Sequence, residues 1–361
     1  MKKLVCLVLI FTMLLCGCSR WNVEIVDPTK PVEGESELVV SEDETEEQEE
    51  NDEEEPTKNK NVVFKIGEKD YPVNATAGTV IADNGNGSYQ IDAPFSAKEP
   101  VNMDFSALAG CEEIKELYVY AHTDAKSIVV PKLPNLESLH IFGINVEILD
   151  VFGTGGIKDM HICLLPEELK IGAGPEMLTL DSDLDLAKLA GAKNIKSLTV
   201  YGDKNLSLVA DIGEVEEIYI IGDEKNLGEL KNLKSLKHLS VYGMGLDFSP
   251  IEDLTVETLV ISDIATKDFI DSFTYSETLT ELQMDDEFLY DASFLEKMPN
   301  LKKLLLIVSP EQDEAVTLWN ETPLEKEIIS MLKTNIPKEQ LEAFVEKGGE
   351  IYLAADTWRN S

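Results

Sequence analysis

Leu233-Lys234-Ser235-Leu236-Lys237-His238-Leu239-Ser240-Val241 carries the pattern that decides the fold. Its last apolar residues stand at 236, 239 and 241. Leu239 and Val241 alternate with polar neighbours, the period-two pattern of a strand with one buried face. The spacing apolar-x-x-apolar-x-apolar then recurs in both directions along the chain. It returns at Ile114/Leu117/Val119, Leu136/Leu139/Ile141, Ile157/Met160/Ile162, Pro175/Leu178/Leu180 and Ile195/Leu198/Val200. It continues at Val215/Ile218/Ile220, Val256/Leu259/Ile261, Leu279/Leu282/Met284 and Leu301/Leu304/Leu306. Successive copies lie 18 to 23 residues apart. One such unit cannot bury its apolar face alone, whereas stacked copies can. A period this persistent therefore specifies a solenoid.

The segments between the copies bring the chain back. Residues 105–109, 184–190, 226–233 and 292–298 carry short helical or 3-10 patterns. The repeats occupy 102–310. Before them, 62–66 and 69–73 alternate and are bounded by Gly and Asn, so 61–101 reads as a β-rich N-terminal cap. After them the pattern breaks, and 311–361 reads as a C-terminal cap. Residues 323–333 and 337–347 look helical, with Pro337 at a helix start and Gly348-Gly349 at its end. Residues 351–353 fit one last strand. Caps are expected because solenoid ends expose core.

The N-terminus reads as a processing signal. Lys2 and Lys3 precede an apolar stretch over 4–15, too short to span a bilayer comfortably. Leu15-Cys16-Gly17-Cys18 follows, with a small residue immediately before the second cysteine. This resembles the leader and lipobox of bacterial lipoproteins. The resemblance implies a signal peptide over 1–17 and a diacylated Cys18 that becomes the new N-terminus. Two acyl chains suffice for stable anchoring. Residues 18–60 then read as a tether, with eleven carboxylates and no base between 42 and 55. Such a segment buries too little to fold, and its like charges extend it. The formal net charge is −38, of which −12 lies over 19–60, so the repeats are acidic in their own right. Their field repels nucleic acid. Cys111 and Cys163 are the cysteines left for the folded part, and their separation predicts two unpaired thiols.

The repeat itself resembles the leucine-rich repeat, L-x-x-L-x-L-x-x-N-x-L, in the short form of internalin-like bacterial surface proteins. The match is clearest at 133–141, 233–241 and 298–306. It departs from the family at the asparagine position, which holds His122, Ile144, Leu165, Asp183, Asp203, Asp223, Met244, Ile264, Glu287 and Ser309. The resemblance implies an α/β horseshoe with a parallel sheet on its concave side. It also implies a non-enzymatic binding module that recognises a protein, or a glycan, through that side.

Strand alternation places two columns of residues on the outward face. The first runs Tyr118, His140, His161, Thr179, Thr199, Tyr219, Ser240, Val260, Gln283, Leu305. The second runs Tyr120, Phe142, Cys163, Asp181, Tyr201, Ile221, Tyr242, Ser262, Asp285, Ile307. Tyr118, Tyr120, His140, Phe142, His161, Tyr201, Tyr219 and Tyr242 are the candidate binding residues, since ordered aromatic stripes characterise protein-binding surfaces. His140, His161 and Cys163 share a neighbourhood, but without the spacing of a metal motif; no metal and no cofactor are expected. Phosphate-loop and nucleophile-elbow motifs are missing, so no enzyme is expected. The reading is a lipid-anchored binding protein on the extracellular face of a cell membrane. Its rivals are a structural envelope lipoprotein, and, less favoured, a solute-binding or hydrolytic surface lipoprotein.

Overall fold

The ten apolar copies form ten parallel strands of one ladder. A computed structural model describes residues 59–355, except 96, 98, 182–183, 202–204, 223–225, 263–264, 286–288, 309–321 and 333. The signal peptide, Cys18 and nearly all of the tether lie outside the described residues, as do Asp183, Asp203, Asp223, Ile264, Glu287 and Ser309 of the asparagine position. Among the described residues no helix is long and apolar enough to cross a membrane.

The repeat strands are β6 (Glu116–Tyr120), β8 (Ser138–Asp150), β9 (Asp159–Lys170), β10 (Met177–Leu180) and β11 (Ser197–Tyr201). They continue as β12 (Glu217–Ile221), β13 (His238–Tyr242), β14 (Thr258–Ser262), β15 (Glu281–Asp285) and β16 (Lys303–Val308). Each pairs with the next in parallel, one repeat along, so that Leu117, Leu139, Met160, Leu178 and Leu198 stand opposite one another in sequence. Ile218, Leu239, Leu259, Leu282 and Leu304 continue the line. All ten are buried, as are the residues two positions later in each strand. A full side chain buried in this way contributes roughly 1.5–3 kcal/mol. Among the described residues the fold is α/β, an open solenoid-like sheet of 17 strands with few helices.

The ladder is one strand longer at each end than the apolar pattern. At the C-terminal end β17 (Glu350–Ala355) pairs in parallel with β16, Ile351 opposite Leu304, as the alternation at 351–353 predicts. At the N-terminal end β4 (Ser88–Asp92) pairs in parallel with β6, Tyr89 opposite Leu117 and Ile91 opposite Val119. The repeat ladder thus begins at Ser88, inside the stretch read as cap. Asn86 at the first apolar position and Tyr89 at the second hid it.

The return path changes character along the chain. Early returns combine strands, which the helical reading of the returns did not include, with short 3-10 turns at Ser106–Leu108, inside the segment read as helical, and at Phe152–Thr154. The second half of β8 pairs with β7 (Ala125–Val129), which pairs with β5 (Val101–Asp104), and the second half of β9 adds on the other side. Here the protein has two parallel ladders back to back, joined by a corner between Phe142 and Asn145 where the register shifts. Later returns are 3-10 turns at Leu186–Leu189, Leu206–Asp211, Leu227–Asn232, Ser249–Asp253 and Ser293–Lys297, and one α-helix, α1 (Ala265–Ser272). An Asp or Asn carbonyl-type oxygen opens these 3-10 turns by accepting the backbone N–H two residues on: Asp185, Asn205, Asn226, Asp247 and Asp291, at 2.9–3.2 Å. Such Asx turns satisfy a donor that the short turn leaves open.

Both ladder edges are covered at the N-terminal end. The hairpin of β1 (Asn59–Ile66) and β2 (Lys69–Thr76) lies antiparallel on β5, Ala75 opposite Met103. β3 (Val80–Gly85) closes the other edge by pairing antiparallel with β4. Their connection is Asn86-Gly87, with φ +56° and +84°, the left-handed pair that a two-residue hairpin requires. A Cβ at Gly87 would lie 2.7 Å from the Glu113 carbonyl oxygen, so the position also needs the missing side chain. At the C-terminal end α2 (Lys326–Met331) and α3 (Lys338–Glu346) contribute buried Ile329, Leu341 and Phe344. Cys111 and Cys163 are both buried, and neither is in a disulfide.

Candidate functional site

Register brings the predicted columns together side by side. Tyr118 stands opposite His140, His140 opposite His161, and His161 opposite Thr179. Tyr120 stands opposite Phe142 and Phe142 opposite Cys163. Farther along, Thr199 is opposite Tyr219, Tyr219 opposite Ser240, and Tyr201 opposite Ile221, which faces Tyr242. Tyr118, Tyr120, His140, Phe142, Tyr201, Tyr219 and Tyr242 are half-buried, whereas His161 is only 8% exposed. Thr179, Thr199 and Ser240 are buried too, because their larger neighbours on adjacent strands shelter them. The aromatic residues therefore form two groups, one over β6–β9 and one over β11–β13.

The first group is a stack. Tyr118 and His140 are parallel at 4.6 Å between ring centroids, and Tyr120 and Phe142 at 4.8 Å. His161 stands edge-on to Phe142 at 5.2 Å and to His140 at 6.2 Å. Parallel rings a strand spacing apart follow directly from in-register pairing. The stack runs past the sheet edge, where His122 lies 6.0 Å from Tyr120 and only 3.6 Å from Phe95. Phe95 is 78% exposed. Tyr120, His122, Phe142, Gly143 and Ile144 line a shallow depression of about 230 Å³ beside it.

Phe95 and Ile144 are members of this surface that the strand columns do not include. The occupants of the asparagine position were the available signal. Ile144, Leu165 and Met244 stand there, large, apolar and exposed, along one rim of the sheet. Phe95 lies before the first predicted repeat, so register could not place it.

Carboxylates and histidines are interleaved with the rings. Ser138 Oγ donates to Asp159 Oδ2 at 3.1 Å, which leaves Nε2–H of His140, 2.7 Å away, as the donor to that same Oγ. Burial holds the His140 imidazole below its usual range, against the opposing pull of Asp159 and Glu116. Burial pushes the Asp159 carboxyl up, with His140 and Ser138 opposing. Deeper in, burial and then the neighbouring His140 push His161 down to about 4. Burial raises Asp181 to about 6, opposed by a hydrogen bond from the Cys163 thiol. His161 Nε2 and Asp181 Oδ2 are 4.0 Å apart, and Nε2 has no hydrogen-bond partner. At neutral pH His161 is therefore a neutral ring and Asp181 a carboxylate. In the second group His238 Nε2 lies 2.8 Å from Ser240 Oγ, with its ring 5.3 Å from Tyr219.

Among the described residues no group of three or more His, Cys, Asp or Glu side chains is placed to hold a metal ion, His140, His161 and Cys163 included. What the arrangement offers chemically is π-faces, edge N–H and O–H groups, and carboxylates on one rigid sheet. No protein-family model matches the chain, and no curated protein matches it.

Proposed function

We propose that the chain is a leucine-rich-repeat horseshoe whose concave sheet face binds another macromolecule, foremost a protein. It is held at the outer face of a cell membrane by lipid on Cys18, with residues 18–60 as spacer. One observation carries the reading: the outward faces of β6, β8, β11, β12 and β13 carry half-buried aromatics on one sheet, those of β6 and β8 in direct register. Rings held this way lose little freedom on binding and supply large contact area, which is why Tyr dominates interface energetics. A sheet serving only as a structural wall has no need of aromatic outward positions in successive repeats.

Binding energy concentrates in a few such anchors. Alanine at Tyr201, Tyr219 and Tyr242 together is thus expected to cut recovery of the partner in cross-linked pull-downs from intact cells by about tenfold or more. The far-ultraviolet circular dichroism should be unchanged, because none of the three faces the core. Equal recovery with the triple variant contradicts the proposal and favours a structural envelope role.

A further inference from the structure

A tripeptide, Glu-(Leu/Ile)-Tyr, occurs three times on the outward face. The copies are Glu116-Leu117-Tyr118 in β6, Glu217-Ile218-Tyr219 in β12 and Glu350-Ile351-Tyr352 in β17. In each the Glu and the Tyr point outward and the residue between them is buried. The third copy is already occupied by an ammonium group. Lys303 of the preceding strand stands opposite Glu350, and its Nζ lies 5.1 Å from the centre of the Tyr352 ring. The same Nζ is 3.7 Å from Glu281 Oε2, and the Tyr352 hydroxyl donates to Glu350 Oε2 at 2.7 Å. The ring supplies its negative face and the carboxylates supply charge, the usual receptor for a lysine or arginine head.

In the other two copies the residue at the lysine's register is serine. Ser88 stands opposite Glu116, and Ser197 stands opposite Glu217. Both copies keep the ring and the acid. Tyr118 feels Glu116 and Asp159 strongly enough that its phenol is held above the ordinary range, burial being the larger cause. Glu217 and Glu281 likewise act on His238, beside Tyr219. Along this outermost column Lys303 is the single lysine, against Glu116, Asp159, Glu217, Glu281 and Glu350. The whole chain carries −38.

We infer that the partner is a polypeptide rich in lysine or arginine, whose cationic heads seat at Tyr118 and Tyr219 as Lys303 seats at Tyr352. The inference rests on the reading of this face as a binding surface. β6 and β12 are five ladder steps apart, so the two seats are separated by about 24 Å. A partner bridging them presents two clusters of basic side chains at that distance.

The test uses the full-length protein and a peptide of alternating lysine and serine, long enough to span the seats, titrated at physiological salt. Its twin with every lysine acetylated is the control, because acetylation removes the charge and keeps the length. The lysine peptide is expected to bind and the acetylated one to fail. Tyr118→Ala with Tyr219→Ala should weaken binding about tenfold, and the corresponding Phe pair should retain it. Lys303→Ala should strengthen binding about threefold by vacating the third seat, a gain that misfolding cannot imitate. Glu112→Gln with Glu167→Gln removes two exposed carboxylates away from the seats and should change affinity less than about twofold.

Equal binding of the acetylated peptide overturns the inference. So does a loss in the Glu112/Glu167 variant as large as in the tyrosine pair, since diffuse charge then explains the affinity. If the lysine peptide fails while an oligosaccharide binds in a tyrosine-dependent way, the cationic assignment falls and the binding face stands. If no partner engages this face at all, the reading beneath the inference falls with it.

Discussion

Replacing Phe269 by alanine is expected to lower the free energy of unfolding by about 3–5 kcal/mol. Phe269 is fully buried on α1, behind β14 and β15. Its ring meets Phe273 stacked at 4.6 Å, Phe248 edge-on at 5.4 Å and Phe294 edge-on at 5.5 Å. Phe248 belongs to the return before and Phe294 to the return after. One ring therefore ties three successive returns together. In a solenoid each repeat contacts only its neighbours, so stability is a sum of repeat and interface contributions. Deleting this ring weakens two interfaces at once and leaves a cavity that stiff neighbours cannot fill. Urea unfolding followed by circular dichroism should show the loss, and the single transition should split as the two sides of the weakened joint separate. Phe269→Leu, which keeps most of the volume, should cost less than about 1.5 kcal/mol. A loss below about 1 kcal/mol for Phe269→Ala falls outside the range for burying an aromatic ring and contradicts the packing described.

Stability should depend on pH through a buried histidine and a half-buried carboxylate that act in opposite senses. His161 is held at about 4 against an ordinary 6.5. The unfolded chain binds that proton more readily, so this contribution is fully present above pH 6.5 and is lost as pH falls toward 4. Asp181 is held at about 6 against an ordinary 3.8, so the folded chain binds its proton more readily. The cost of that half-buried carboxylate is fully present above pH 6 and is relieved as pH falls toward 3.8. The two trends offset each other in the native protein. Asp181→Asn removes one of them. Measured against the double variant Asp181→Asn/His161→Gln, the Asp181→Asn protein should lose about 3 kcal/mol between pH 6.5 and pH 4, the equivalent of His161's displacement. Parallel stability profiles for the single and double variants contradict a buried neutral His161.

The ten inner strands were legible because two periods agree there. Alternation marks each strand, and a recurrence of about 20 residues marks the stack. Alternation also sorted Tyr118, His140, Tyr219 and the other column residues to the outward side. The second ladder was harder to read. In β7, Ala125-Lys126-Ser127-Ile128-Val129 is short and weakly apolar, and β8 runs through its corner with no Pro to mark it. Strand and turn are then nearly equal in propensity, and pairing with β5 and β9 decides the outcome. Asn86-Gly87 was a hairpin signal in plain sight that fixes the edge strand β3. The Asx residues of the returns drifted from five to seven positions behind the last buried apolar strand residue, from Asp185 and Asn205 to Asp291, and so escaped a fixed-spacing motif. The stacking of Phe95 on His122 joins residues from separate loops and has no sequence period at all.

The claim that this sheet face engages a partner is tested most directly by site-specific photo-crosslinking. A photoreactive phenylalanine analogue is placed at position 201, outward on β11, or at position 210, exposed on the return turn Leu206–Asp211. The full chain is irradiated in the cells that make it. A discrete adduct at 201 that is missing at 210 is the result expected of a binding face. Adducts confined to 210, or equal labelling at both positions, would contradict it.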